Sequence, residues 1–165
     1  MMTEAAPFTH LDASGRARMV DVGDKPDTQR EAVARGEVWL QPATLAMILD
    51  RTVAKGDVLA IAQVAAVMAA KQTSKLIPLC HTLLLSAVDV AFETQYPDHI
   101  GIEVRVRTVG KTGAEMEALT AVSVAALTVY DMCKAVDRGM HVEHVRLIRK
   151  SGGKSGVWQA EEQEQ

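Results

Sequence analysis

Aromatic side chains are scarce, at 4% of the chain, and no charge of one sign dominates: 18 Lys and Arg stand against 21 Asp and Glu, a formal net charge of -3. General nucleic-acid binding wants a basic face and rings on which bases stack, so this composition argues against it and leaves room only for a local cationic cluster around a small anion. Cysteine is nearly absent. Cys80 and Cys133 form no C-x-x-C pair, which excludes a disulfide framework and reads as two buried thiols. No uninterrupted apolar run approaches the roughly 20 residues of a membrane span. The start M-M-T-E-A-A-P-F-T-H-L lacks a basic segment leading into an apolar one. The expectation is a cytoplasmic protein with no membrane and no nucleic-acid partner. At 165 residues, 48% of them hydrophobic, the chain suffices for one packed domain. That domain is expected over 13–156, between polar tails at 1–12 and 157–165.

Within the domain, R-M-V-D-V at Arg18 to Val22 reads as a short strand. The segment from Glu31 to Leu40 ends in apolar β-formers and reads as another, although Ala32 to Arg35 would equally begin a helix. Pro42 opens the short helix A-T-L-A-M-I-L-D. Asp57 is placed to cap an apolar helix ending near Lys75, after which Pro78 breaks regularity. Leu83 to Glu93 and I-G-I-E-V-R-V-R-T-V flank the turn Y-P-D-H and read as a hairpin. His141 to Lys150 alternates as a closing strand. The resulting order, βαββαβ, is that of an α+β, ferredoxin-like fold with an antiparallel sheet covered by helices on one face.

The second long helix, from Lys111 to Lys134, carries no charge between Ala118 and Tyr130 and reads as buried on every side. Glu115 and Glu117 suit its positive end, and Lys134 its negative end. Asp131 opposes the dipole and therefore needs a partner or a task. Lys134, at i+3, is the simplest partner. Glu117 and Asp131 are fourteen positions apart, which puts them within about 40° of one face but about 21 Å apart along the axis. One small substrate cannot touch both unless two copies of the helix pack antiparallel across a two-fold axis, which predicts a site shared between subunits.

Further polar candidates sit at element ends: Lys55-Gly56-Asp57, Pro78-Leu79-Cys80-His81, and the Gly-rich R-L-I-R-K-S-G-G-K-S-G. The last is not a P-loop, because the first Gly of that motif would fall at Ile148 and too few residues follow to build its helix. Its amides and cations, with Arg149, Lys150 and Lys154, still suit phosphate oxygens. Cys80-His81 and His141-x-x-His144 make a poor metal signature, since residues three apart on a strand face opposite sides. No metal and no cofactor are expected.

Taken together, R-M-V-D-V, K-G-D at Lys55 to Asp57, I-P-L-C-H at Ile77 to His81, T-G-A-E-M-E-A-L at Thr112 to Leu119 and K-S-G-G-K-S-G closely resemble the cyclic pyranopterin monophosphate synthase family, the C protein of molybdenum-cofactor biosynthesis. The resemblance runs from about Thr9 to Gly156. It implies a lyase that rearranges a cyclised dihydro-GTP into cyclic pyranopterin monophosphate and diphosphate, working as a homohexamer of three dimers with sites at the dimer interface. It further implies that Asp131, Lys55 and Lys134 are catalytic, that Leu79, Cys80, His81, Met116 and Glu117 contact substrate, and that Asp21, Glu115, Lys150 and Lys154 line the same pocket. Ring opening and closure move protons at several atoms, which asks for acids and bases with displaced pKa values; two neighbouring lysines would lower each other's. The family often has Pro after Cys-His, whereas Thr82 stands here and leaves His81 less rigidly aimed. The alternative reading is a non-catalytic, nucleotide-binding ferredoxin-like module, or a less active paralogue.

Overall fold

The computed structural model describes residues 14–161, so the tail expected at 1–12 lies outside the described residues. The elements are β1 (Thr28–Trp39), α1 (Pro42–Leu49), α2 (Val58–Leu76), β2 (Leu85–Glu93), β3 (His99–Gly110), α3 (Glu115–Cys133), β4 (His141–Ser151) and β5 (Trp158–Gln159). The strands form one antiparallel sheet in the order β2-β3-β1-β4-β5. Without α1 and β5 this is the ferredoxin-like βαββαβ arrangement expected from the sequence.

Alternation builds the sheet. Ala32, Ala34 and Val38 of β1 and Ile100, Ile102, Val104 and Val106 of β3 are buried toward the helices, while the intervening Arg35, Glu103 and Arg105 face the other way. The choice at Ala32 to Arg35 falls to strand, because β1 pairs with both β3 and β4 and tertiary pairing outweighs the helix propensity of alanine. Small inward residues let α3 lie close on β1. A side-chain carbon at Gly36 would meet Val122 Cγ1 at 2.7 Å, so only glycine fits beneath the helix.

Both shorter connections are fixed by carboxylates. Asp57 Oδ1 accepts the Ala60 amide at 3.1 Å and caps α2 as expected. Asp57→Ala is expected to lower unfolding free energy by about 1 kcal/mol, read as a lower urea midpoint with unchanged slope. Gln41, at the head of α1, offers no capping side chain. Its amide is instead taken at 2.8 Å by Oδ2 of Asp137, which also accepts from Thr44 Oγ1 at 3.2 Å, while Oδ1 accepts the Gly139 amide at 3.2 Å. Asp137 is 2% exposed, so a buried carboxylate beyond α3 ties down the start of α1.

Three expectations are corrected. The α3 helix is not buried on every side: Ala118, Ala121, Val122, Ala125, Ala126 and Val129 are sealed against the sheet and α2, but Met116, Leu127 and Asp131 are exposed along the opposite stripe. A two-layer fold covers only one side of a helix, and composition alone cannot tell which. By length and composition α3 also qualifies to cross a membrane, yet half of it is buried inside the fold, as in a core helix. Arg18 to Val22 is not a strand; a single bridge at Ala17 precedes it. The terminal segment read as a polar tail adds β5, with Trp158 opposite Lys150 and Gln159 opposite Arg149.

Candidate active site

Two groups of ionisable side chains stand at the two ends of α3. At its C-terminal end the α1–α2 loop delivers Lys55. Its Nζ lies 2.8 Å from Asp131 Oδ2 and donates at 2.7 Å to the Asp131 carbonyl, and Lys134 Nζ lies 2.7 Å from Asp131 Oδ1. The misplaced carboxylate thus has its expected partner in Lys134 and a second in Lys55. Hydrogen bonds from Lys134 and Lys55 hold its carboxyl down to about 2, from an ordinary 3.8. The same contact raises Lys134, against the lowering expected of it: the Lys134 amine is governed by the carboxylate it touches. The Asp131 side chain is 57% exposed, so this triad faces water within one protomer.

The sign of the linkage follows from the lowered value. Asp131 favours the folded, ion-paired state above its unfolded pKa, and that contribution fades as pH falls through about 2. A carboxyl-carbon NMR titration is expected to place the midpoint near 2, climbing toward 3.8 in Lys134→Met.

At the other end, a cavity of about 360 Å³ is lined by Leu79, Cys80, His81, Glu115, Met116 and Glu117, together with Val20, Val22, Lys25, Thr112 and Gly113. Six expected residues therefore meet here. Glu117 is 4% exposed, and burial, reinforced by the Glu115 charge, raises its carboxyl. Burial and the Glu117 charge raise the Cys80 thiol as well. Gly113 leaves room for the Glu115 carboxylate, which would collide with any side chain there. Lys150 reaches across from β4 to Glu115 Oε1 at 2.8 Å. Asp21 and Lys154 do not line the cavity: Asp21 Oδ1 is occupied by the Gly23 amide at 2.8 Å, and Lys154 is exposed on the Gly-rich loop.

Thr82 does not leave His81 loose. His81 Nε2 donates to the Val20 carbonyl at 2.8 Å, and Thr82 Oγ1 donates to Ser74 Oγ at 3.2 Å. A carbonyl only accepts, so Nε2 carries a proton and the ring is held by the segment before β1. Sequence reasoning missed Lys25 on the cavity wall and Lys111, whose Nζ donates to the Gly23 carbonyl. It also missed Arg30, which donates to the carbonyls of Gly110 at 2.8 Å and Lys111 at 3.0 Å. Arg30 packs against Gly152 and Gly153 as well, and so joins the loop before α3 to the Gly-rich loop. Only its place at the start of a β-strand would have flagged Arg30.

His141 and His144, expected on opposite faces of one regular strand, are separated by a break in it. His144 has φ of 53°, and the β1–β4 register breaks between Arg35 and Glu37. Within this bulge His144 Nδ1 meets Glu37 Oε2 at 2.8 Å, and Glu143 lies 3.4 Å from His141 and 3.9 Å from His144. Among the described residues, no group of three or more His, Cys, Asp and Glu is disposed to hold a metal.

Fold and site define the class: a ferredoxin-like α+β protein with an amine–carboxylate–amine triad at one end of its core helix and an acid-lined cavity at the other. A model described as the MoaC family matches residues 19–153. A protein named cyclic pyranopterin monophosphate synthase from Chloroflexus aurantiacus is 62% identical over 153 residues, covering 92% of this chain and 94% of that one. Proteins of the same name from Thermomicrobium roseum and Pelotomaculum thermopropionicum are each 59% identical, over 160 and 161 residues, with at least 93% of either chain covered. The chain belongs to the MoaC family.

Proposed function

We propose that the chain is a cyclic pyranopterin monophosphate synthase, a lyase that converts a cyclised dihydro-GTP into cyclic pyranopterin monophosphate and diphosphate in molybdenum-cofactor biosynthesis. The observation that carries this reading is the Lys55–Asp131–Lys134 triad, whose proton-donating and proton-accepting groups touch directly, on a chain about 60% identical over nearly its whole length to proteins of that name. In this reading the unit 13–156 is the catalytic domain, Lys55, Asp131 and Lys134 move protons during ring opening and pyran closure, and the cavity at the other end of α3 receives the guanine-derived ring. Glu117, kept protonated more readily by burial, exchanges hydrogen bonds with the ring edge, and His81 and the Leu79–Cys80 segment bound it. Lys150, with Lys154 and Asp21 on neighbouring loops, sits where the triphosphate would lie, and a cation there stabilises the departing diphosphate.

Because the two groups are separated by the length of α3, the complete site takes one end from each of two antiparallel copies. The open stripe of Met116, Leu127 and Asp131 is the face along which they would meet, in a dimer and then a hexamer of three dimers in the cytoplasm. Incubation of the purified protein with the cyclised dihydro-GTP, followed by enzymatic detection of diphosphate and fluorescence detection of the oxidised pterin, tests the activity. Intact substrate after many equivalents of protein would refute it.

A further inference from the structure

Across the sheet from α3 lies a groove of about 970 Å³ that the triad and its cavity do not use. It is lined by Arg35 of β1, Arg105 of β3, and Arg146 and Arg149 of β4, and closed along one side by Trp158 and the residues after it. The registers explain the clustering. Arg105 and Arg149 both sit opposite Val33, from its two neighbouring strands, and Arg146 sits opposite Arg35. Strands lie about 4.8 Å apart, so four guanidinium groups share one small area of a chain whose net charge is negative.

The carboxylates nearby, Glu31, Glu103 and the groove-lining Glu161, do not consume them. Glu103 takes Arg35 at 2.7 Å and has Arg105 only at 3.7 Å, and Glu31 takes Arg149 at 3.0 Å. Arg146 donates to the carbonyl of His144 at 3.3 Å and has no carboxylate within ion-pair distance among the described residues. Four guanidinium groups carry about twenty N–H donors, of which these contacts use a handful. No lysine lines the groove. Planar forks in place of point charges suit oxygens presented in pairs, as on linked phosphates. A nucleic-acid backbone would want a continuous basic track, and Glu31 and Glu103 interrupt one; a membrane surface would not enter a concave groove.

We propose that this groove is a second anion site that binds linked phosphates, either as free inorganic diphosphate or as the tail of a nucleoside triphosphate. The site is separate from the one at the ends of α3 and stands on its own geometry.

Calorimetric titration of the full chain with inorganic diphosphate and, separately, with adenosine triphosphate tests it. R105Q/R146Q is expected to weaken binding on the order of 10-fold or more, since each lost guanidinium removes charge-assisted bonds. Tighter binding of adenosine triphosphate than of diphosphate identifies a nucleoside triphosphate as the natural source; diphosphate binding at least as tightly as the nucleotide identifies free diphosphate instead. Arg146→Lys, which keeps the charge and loses the fork, should bind several-fold more weakly and replaces the double variant if that one fails to fold. The proposal is overturned if the unaltered chain binds neither ligand, if the arginine variants bind as tightly as it does, or if binding disappears in Lys150→Ala alone, which would place the phosphates at the end of α3.

Discussion

Asp131→Asn is expected to slow diphosphate release by roughly 10²- to 10⁴-fold, the range that a positioned acid or base contributes. The substitution keeps the shape and removes the charge that holds Lys55 and Lys134 together. It should leave the melting temperature nearly unchanged, because exposed ion pairs contribute little to stability. A loss of activity with an intact fold would therefore be chemical. The shared-site arrangement adds a sharper expectation. A Glu117→Gln chain is also expected to be inactive, but unfolding and reassembling it with an equal amount of the Asp131→Asn chain should restore about a quarter of wild-type activity. Half of the dimers then contain one chain of each kind, and each mixed dimer rebuilds one of its two sites from unaltered ends. No recovery from the mixture would mean that each protomer carries its own complete site.

Asp137→Ala is expected to have the opposite profile. Its carboxylate receives Gln41 N, Thr44 Oγ1 and Gly139 N in a position closed to water. Removal leaves these donors without their acceptor and the first turn of α1 without its cap. Losing charge-assisted bonds at a buried site costs about 2–4 kcal/mol, which for a chain of this size lowers the melting temperature by roughly 5–15 °C. Calorimetry of the purified variant reads the shift directly. A change of a degree or two would show that α1 is held by its apolar residues, Leu45 and Ile48, and not by Asp137.

Those two aspartates also mark how far the sequence could be read. Asp131 was legible because a carboxylate at the negative end of an apolar helix is locally wrong, and local wrongness is visible in one dimension. Its contact with Lys55 spans 76 positions and was reached only through the family resemblance. Asp137 stood in the turn A-V-D-R-G like any solvated aspartate, and its partners lie 93 and 96 positions away. The main strands and the two long helices were legible because their burial repeats with the period of the backbone. β5 was not, since two residues show no period. The bulge at His144 did leave a mark in the sequence, since Val142 and Val145 stand three positions apart where a regular strand keeps period 2, but only the pairing with β1 shows it as a register break. The apolar stripe of α3 looked sealed because composition reports what a helix prefers to touch, not what is there to touch it.

The open position of the Lys55–Asp131–Lys134 triad has a consequence for how the protein should be handled. A lone chain keeps these charges solvated, and water competes with any ring atom for their protons. Specific activity should accordingly fall on dilution and return on concentration, so that the protein's own molarity behaves as if it were a reactant.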